Sequence, residues 1–430
     1  MDNNTMFRSL PPKVKMIDKV GFLKPEEDQL ANHIPVWILR GGTQEIAKIE
    51  FLFRVGSYNQ EKPLQAYAAT NLLKTGTRNK TSRQLNALWD FYGVSLIVEA
   101  QKDIISVGFF ALTRHLNTVL DIVLEIISQA IFPDEELDIL LSDRRQKHIV
   151  NQKKGSHLAR VHFNQLVFGA DHPYGSILQL QDFDQLTRGD VENYYNRFLH
   201  PGNCYCFASG ILPDNFIPLL NQKIQESNWF RKPDEEVAPI RAFPVKSKVV
   251  KEFIPLEGTL QASLRIGKLM PNRTHLDYHR ISITNTLLGG YFGSRLMTNI
   301  RQDKGFTYGI NSALVSLMRH AYFFITTQVG VDVKEMATEE ILKELTRLRQ
   351  QPASDEELLM LKNYLSASFL RSFDGPFMQM ERFKEILLFG LDYDHYNDFL
   401  PQLNAITPVD VMEMAEKYFN ENEMIQLMVG

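Results

Sequence analysis

The feature that most constrains this chain is a recurrence. Asp134-Glu135-Glu136-Leu137 returns as Asp355-Glu356-Glu357-Leu358, 221 positions later. Leu186-Thr187-x-x-Asp190-Val191 returns as Ile406-Thr407-x-x-Asp410-Val411, 220 positions later, and Phe198-Leu199 is answered by Tyr418-Phe419. Two unrelated landmarks whose offsets agree to within one residue imply a duplicated unit, and a duplicated unit buries its apolar faces twice by one plan. The 430 residues, 44% hydrophobic and 23% charged, are enough for two such cores.

Each copy mixes strand and helix signals. In the first, PVWILR and KIEFLFRVGS read as strands, the second with apolar alternation. Residues 63–74 read as a helix ended by Thr75-Gly76-Thr77, and Thr81 caps a second helix closed by Gly93. VSLIVEAQ and DIISVGFFAL read as a hairpin turning near Lys102-Asp103. Residues 115–131 form an amphipathic helix through Leu116, Leu120, Val123, Leu124 and Ile127. Pro133 and three acids then open a long helix bearing Arg144, Arg145, Lys147 and His148. A helix over 190–198 and the strand CYCFASGIL complete the copy. The expected fold class is α+β: two homologous domains, each with strands on one face and helices on the other. The domains are 1–229 and 245–430, joined by a charged, proline-bearing linker over 230–244.

Composition excludes several functions. A net charge of -4 without a Lys/Arg-rich block argues against nucleic acid. No run approaches a membrane span, and the N-terminal MDNNTMFRSLPPKVKMIDKV has no apolar core of a secretory signal. The two cysteines, Cys204 and Cys206, point to one face of a strand and read as reduced core filling. A soluble cytoplasmic protein is the expectation.

Residues 287–308, LLGGYFGSRLMTNIRQDKGFTY, carry the most chemistry. Gly289, Gly290 and Gly293 allow a sharp turn and close approach to a bound chain. Leu296, Met297 and Ile300 mark the buried face of a short helix, Arg301 ends it, and Gly305 stops it. Tyr308 then opens an extended run, so a guanidinium and a phenol could face one cleft. The bland alternative is a surface cation and a half-buried aromatic. His275 and His279 in HLDYH have zinc-like spacing on a helix, yet no glutamate stands between them, and a surface helix start is the simpler reading. His172 and His200 read as loop residues, and His148 and His157 as part of a solvated basic face. Phosphate loops, nucleophile elbows and dinucleotide fingerprints are absent.

With these segments set out, nearly the whole chain resembles the insulinase/pitrilysin-type metallopeptidases, the family that includes the mitochondrial processing peptidase subunits. The resemblance rests on VGSYNQEKPLQAYAATNLLKTGTRNKTSRQLNALWDFYGVSL, FPDEELDIL, FGADHPYGSIL through LTRGDVENYYNRFLHPGN, and LLGGYFGSRLMTNIRQDKGFTYGINS. It implies the processing-peptidase-like fold, with antiparallel-rich sheets, two domains per unit, and two units closing around an unfolded peptide. Active members carry His-x-x-Glu-His on the helix before a Lys-x-Gly-Thr-like turn, with a distant glutamate completing the zinc site. The matching positions here are Tyr67, Thr70 and Asn71, which are poor ligands and no base. The region of the distant glutamate, residues 143–157, contains none.

Arg301 and Tyr308 match the family's arginine-tyrosine pair, which by resemblance contacts the peptide carbonyl opposite zinc. The resemblance therefore implies the non-zinc subunit of a heterodimeric metallopeptidase, inactive alone. It would have no metal of its own, a homologous zinc-bearing partner, and an extended peptide substrate held at a sheet edge. The alternative is a pseudo-peptidase serving as scaffold or peptide-binding module. A zinc enzyme using His275 and His279 ranks third.

Overall fold

The computed structural model describes residues 17, 20–230 and 241–430. Most of the N-terminal stretch and of the expected linker 230–244 lies outside the described residues. Where that linker is described, it touches Tyr58, whose Oη donates to the Arg241 carbonyl at 2.9 Å and whose ring meets Phe243 edge-on.

The protein is α+β, with two sheets packed against helices. The first sheet contains β1 (Glu26–Gln29), β2 (Pro35–Arg40), β3 (Ile46–Phe53), β4 (Ser95–Ala100), β5 (Ile105–Leu112) and β6 (Cys204–Gly210), in the order β1-β2-β6-β3-β5-β4. The second contains β7 (Lys251–Ile254), β8 (Gln261–Met270), β9 (Ile310–Ser316), β10 (Ala321–Gly330) and β11 (Ile425–Val429), in the order β7-β11-β8-β10-β9. The orders superimpose once β1 is set aside. Each sheet has one parallel pair, β2 with β6 and β7 with β11, and is otherwise antiparallel.

Seven helices of the first half concern the argument: α1 (Gln65–Asn71), α2 (Ser82–Tyr92), α3 (Leu116–Ser128), α4 (Asp134–Asn151), α5 (Gly155–Phe168), α6 (Arg188–Phe198) and α7 (Phe216–Ser227). Six follow in the second: α8 (Tyr278–Asn285), α9 (Lys334–Gln350), α10 (Asp355–Arg371), α11 (Gly375–Leu388), α12 (Phe399–Ala405) and α13 (Pro408–Tyr418). The repeated motifs have a local cause. Thr187 and Thr407 each close a capping box with an aspartate three residues on, starting α6 and α13 identically. The recurring acids open α4 and α10, where they face the positive helix end.

Periodicity did not foretell how the halves join. One face of each sheet is covered by helices of its own half, forming the two large cores. The opposite face receives a helix from the other half. Phe163, Val167 and Phe168 of α5 pack with Tyr322, Ile425, Leu427 and Val429 of the second sheet. Met380, Phe383 and Leu387 of α11 pack with Trp37, Leu39, Leu52 and Phe207 of the first. The exchanged helices stand 220 positions apart, so the exchange is reciprocal.

Beside α11 the interface turns polar around a cavity of about 740 Å³. Lys48 reaches Glu381 at 2.5 Å, while Lys384 reaches Glu50 at 2.6 Å and Glu381 at 2.8 Å. Burial alone would lower the Lys384 pKa, but the two carboxylates outweigh it and hold it raised. The hairpin tips meet as well: Asp103 accepts from Arg319 Nη1 at 2.7 Å and from the Met318 amide at 3.1 Å.

Several local expectations change. His172 lies in a turn but is 1% exposed, because Tyr58, Phe168, Tyr174 and His320 surround it. His200 is buried too, accepting the Gly202 amide. His148 is not on a solvated face but tilts against Phe183. Cys204 and Cys206 are free and buried in β6, as expected.

Candidate functional site

The helix that should hold the metal motif is α1, whose Ala66, Ala68 and Ala69 are fully buried and let it lie close beneath its neighbours. Tyr67, Thr70 and Asn71 lie on this helix, and two of the three side chains turn back onto it. Thr70 Oγ1 donates to the Ala66 carbonyl at 2.7 Å, and Asn71 Nδ2 donates to the Tyr67 carbonyl at 2.8 Å. The Tyr67 ring is covered by the Arg144 guanidinium of α4, 4.8 Å from its centroid. These residues do not fit a divalent cation: they offer no imidazole or carboxylate, and a fixed positive charge already stands beside them. Among the described residues no group of three or more His, Cys, Asp or Glu side chains could hold a metal.

The HLDYH reading fails on geometry. Asp277 is the N-cap of α8, so His275 lies outside the helix and its Nδ1 accepts the Asp277 amide. His279 instead points inward, with Nε2 2.7 Å from the His395 carbonyl. Burial lowers the pKa of both His279 and His395, the latter to about 3.

The stretch 287–308 is ordered differently from a loop. Gly289 and Gly290 belong to a π-helical turn, Thr286–Gly290, that continues α8, and Gly293 alone of the three lies in the turn that follows. The close approach that requires Gly289 is to the chain's own β9. A Cβ there would stand 2.6 Å from Ser312 Oγ and 2.9 Å from Ser312 N. A second π-helical segment, Met297–Asp303, buries Met297 and Ile300, and Leu296 just before it is buried too, as the apolar spacing requires. Gly305 stops it with φ +65°.

Arg301 and Tyr308 flank that stop. The Arg301 guanidinium lies over the Phe292 ring, 5.0 Å from its centroid, and Phe292 itself is 63% exposed. Tyr308 is 93% exposed, two residues before β9, the terminal strand of its sheet among the described residues. One residue that sequence reading passed over fixes this region: Arg295 is buried and forks onto both Glu357 oxygens of α10, at 2.8 and 3.1 Å. Its signal was the recurring Asp-Glu-Glu motif, whose third acid is that partner. The structure thus brings Arg301 together with Phe292 in the second half, leaves Tyr308 exposed before β9, and keeps Tyr67, Thr70 and Asn71 in the first half.

Fold and site together describe an α+β chain with two helix-packed sheets, in which Tyr67, Thr70 and Asn71 offer no metal ligand. Residues 185–365 match the family model described as the peptidase M16 inactive domain. The chain is similar in sequence to relatives described as zinc proteases and in fold to solved M16 structures. It is 21% identical to the uncharacterized zinc protease YmxG of Bacillus subtilis, over 92% of each chain. It is also 21% identical to the probable inactive metalloprotease YmfF of the same organism, over 56% of this chain and 55% of that one. A crystal structure of a peptidase M16 inactive domain from Pseudomonas fluorescens shares the fold with a TM-score of 0.86, at 19% identity, covering 95% of this chain and 98% of that one. Among the described residues no helix is long and apolar enough to cross a membrane.

Proposed function

We propose that this chain is the non-zinc subunit of a two-chain M16 metallopeptidase. It holds an extended peptide by strand addition and presents Arg301 and Tyr308 to a peptide carbonyl, while a homologous zinc-bearing subunit supplies metal and base. The observation that carries this reading is an asymmetry. Of the positions matched to the metal motif, Thr70 and Asn71 bond back to their own helix and Tyr67 lies under Arg144, whereas Tyr308 stands exposed before a terminal strand. A mere scaffold would have no use for a tyrosine left 93% exposed two residues before a terminal strand.

The test is to mix the chain with a homologous subunit bearing an intact His-x-x-Glu-His motif and to follow cleavage of a flexible peptide. The mixture is expected to cleave and this chain alone to stay silent. Tyr308→Phe should lower kcat of the mixture by about 10² while assembly is unchanged, the size typical for loss of one donor to a developing oxyanion. Unchanged cleavage by the Tyr308→Phe assembly would return the pair to the scaffold reading, and proteolysis by the isolated chain would overturn the proposal.

A further inference from the structure

Helix α4 carries a line of cations past the replaced metal seat. Arg144 and Lys147 stand three positions apart on the helix and so share a side, and Lys154, just beyond the helix end, joins them along one groove. With Gln146, Val150 and Asn151 they line an open groove of about 320 Å³. Charge along the groove is unbalanced. Arg145 is paired with Asp184, but among the described residues Arg144, Lys147 and Lys154 form no ion pair. Arg144 spends its guanidinium face on Tyr67, and Lys154 reaches only the Asn151 side-chain oxygen, at 3.1 Å.

His157, on the following helix, registers the resulting field. Its pKa is lowered first by burial, and every further cause is a basic neighbour: Arg160, His148, Arg144 and Lys154. Unpaired like charges on one face repel, and they persist at least expense where an anion visits them.

We infer that this stripe is a docking site for an acidic segment of a peptide, lying beside the helix where relatives would seat zinc. The inference rests on the peptide-holding reading and adds to it a charge class of substrate. A peptide is favoured over nucleic acid because the stripe is short, in a chain of net charge -4. The groove also admits apolar contact through Val150, 54% exposed.

The experiment measures fluorescence anisotropy of the full chain with a labelled, flexible glutamate-rich peptide and with the same peptide carrying glutamine at each glutamate. At low salt the glutamate peptide should bind about tenfold more tightly, the combined effect of a few exposed charge contacts. The difference should collapse near 1 M salt, where the Debye length falls to about 3 Å. Lys147→Gln/Lys154→Gln should abolish most of the preference, and Lys147→Glu/Lys154→Glu should turn it toward a lysine-rich peptide. Neither variant touches the Arg144–Tyr67 contact, and if one fails to fold, the salt dependence of the unaltered chain decides. Equal binding of both peptides overturns the inference and leaves the proposed function standing. Binding of neither overturns both. A preference that survives in Lys147→Gln/Lys154→Gln, or tighter binding of single-stranded RNA of equal charge, assigns the stripe elsewhere and overturns the inference.

Discussion

Gly289→Ala isolates what the glycines of residues 287–308 do in this fold. On helix propensity alone the change should stabilise, because alanine is about 1 kcal/mol better than glycine within a helix. Space argues the other way. The new methyl would meet Ser312 Oγ at 2.6 Å, Leu296 Cδ1 at 2.8 Å and Ser312 N at 2.9 Å. The two side-chain atoms can swing aside, but the amide nitrogen moves only if β9 moves. Overpacking of this kind costs about 1–3 kcal/mol, and a backbone obstacle belongs at the upper end. The net expectation is a loss of about 2 kcal/mol, which for a domain of this size lowers Tm by about 4–8 °C.

Thermal unfolding followed by circular dichroism measures it, with Gly309→Ala as the comparison. No atom lies within 4 Å of a Cβ at Gly309, so that variant should be neutral or slightly stabilising. Because β9 is the displaced strand, Gly289→Ala should also weaken binding of the glutamine peptide. A Tm for Gly289→Ala equal to or above that of Gly309→Ala would refute the argument from close approach.

Two further outcomes concern His172 and the helix bearing Tyr67. Burial, with His320, Lys102 and Arg319 adding positive charge, pushes the His172 pKa down to about 4, whereas an unfolded imidazole protonates near pH 6.5. Between these values the unfolded chain binds more protons, so stability is full above about pH 6.5 and falls as the pH drops toward 4. His172 alone should cost about 2 kcal/mol between pH 7 and pH 5, read by urea unfolding, and His172→Phe should flatten that slope; an unchanged slope would refute the assignment. Rebuilding the motif as Tyr67→His/Thr70→Glu/Asn71→His should still not create a tight zinc site, because residues 143–157 supply no glutamate and Arg144 stands 4.8 Å from the ring at 67. Stoichiometric zinc surviving dialysis against a chelator would contradict this.

Much of the architecture was legible because it is written locally. The Thr187 and Thr407 capping boxes are fixed by residues three apart, and each motif carries the physics that starts its helix. The stop at Gly305 and the apolar face of Leu296, Met297 and Ile300 belong to the same class. Histidines were read poorly for the complementary reason. A turn sequence such as His172-Pro173 says that the chain bends, but whether the ring meets water depends on Phe168, Tyr58 and His320 arriving from elsewhere.

The amino-acid order by itself gave the repeated landmarks, the α+β class and the lack of imidazole and carboxylate at Tyr67, Thr70 and Asn71, since each is a matter of spacing and side-chain chemistry along one segment. Only the tertiary structure decided that α5 and α11 trade places across the two sheets, that Gly289 is small for the sake of β9, and that a guanidinium from α4 settles on Tyr67. Those facts depend on surfaces far apart in the chain, whose meeting is chosen by packing of the whole and leaves no periodic mark in any one part of it.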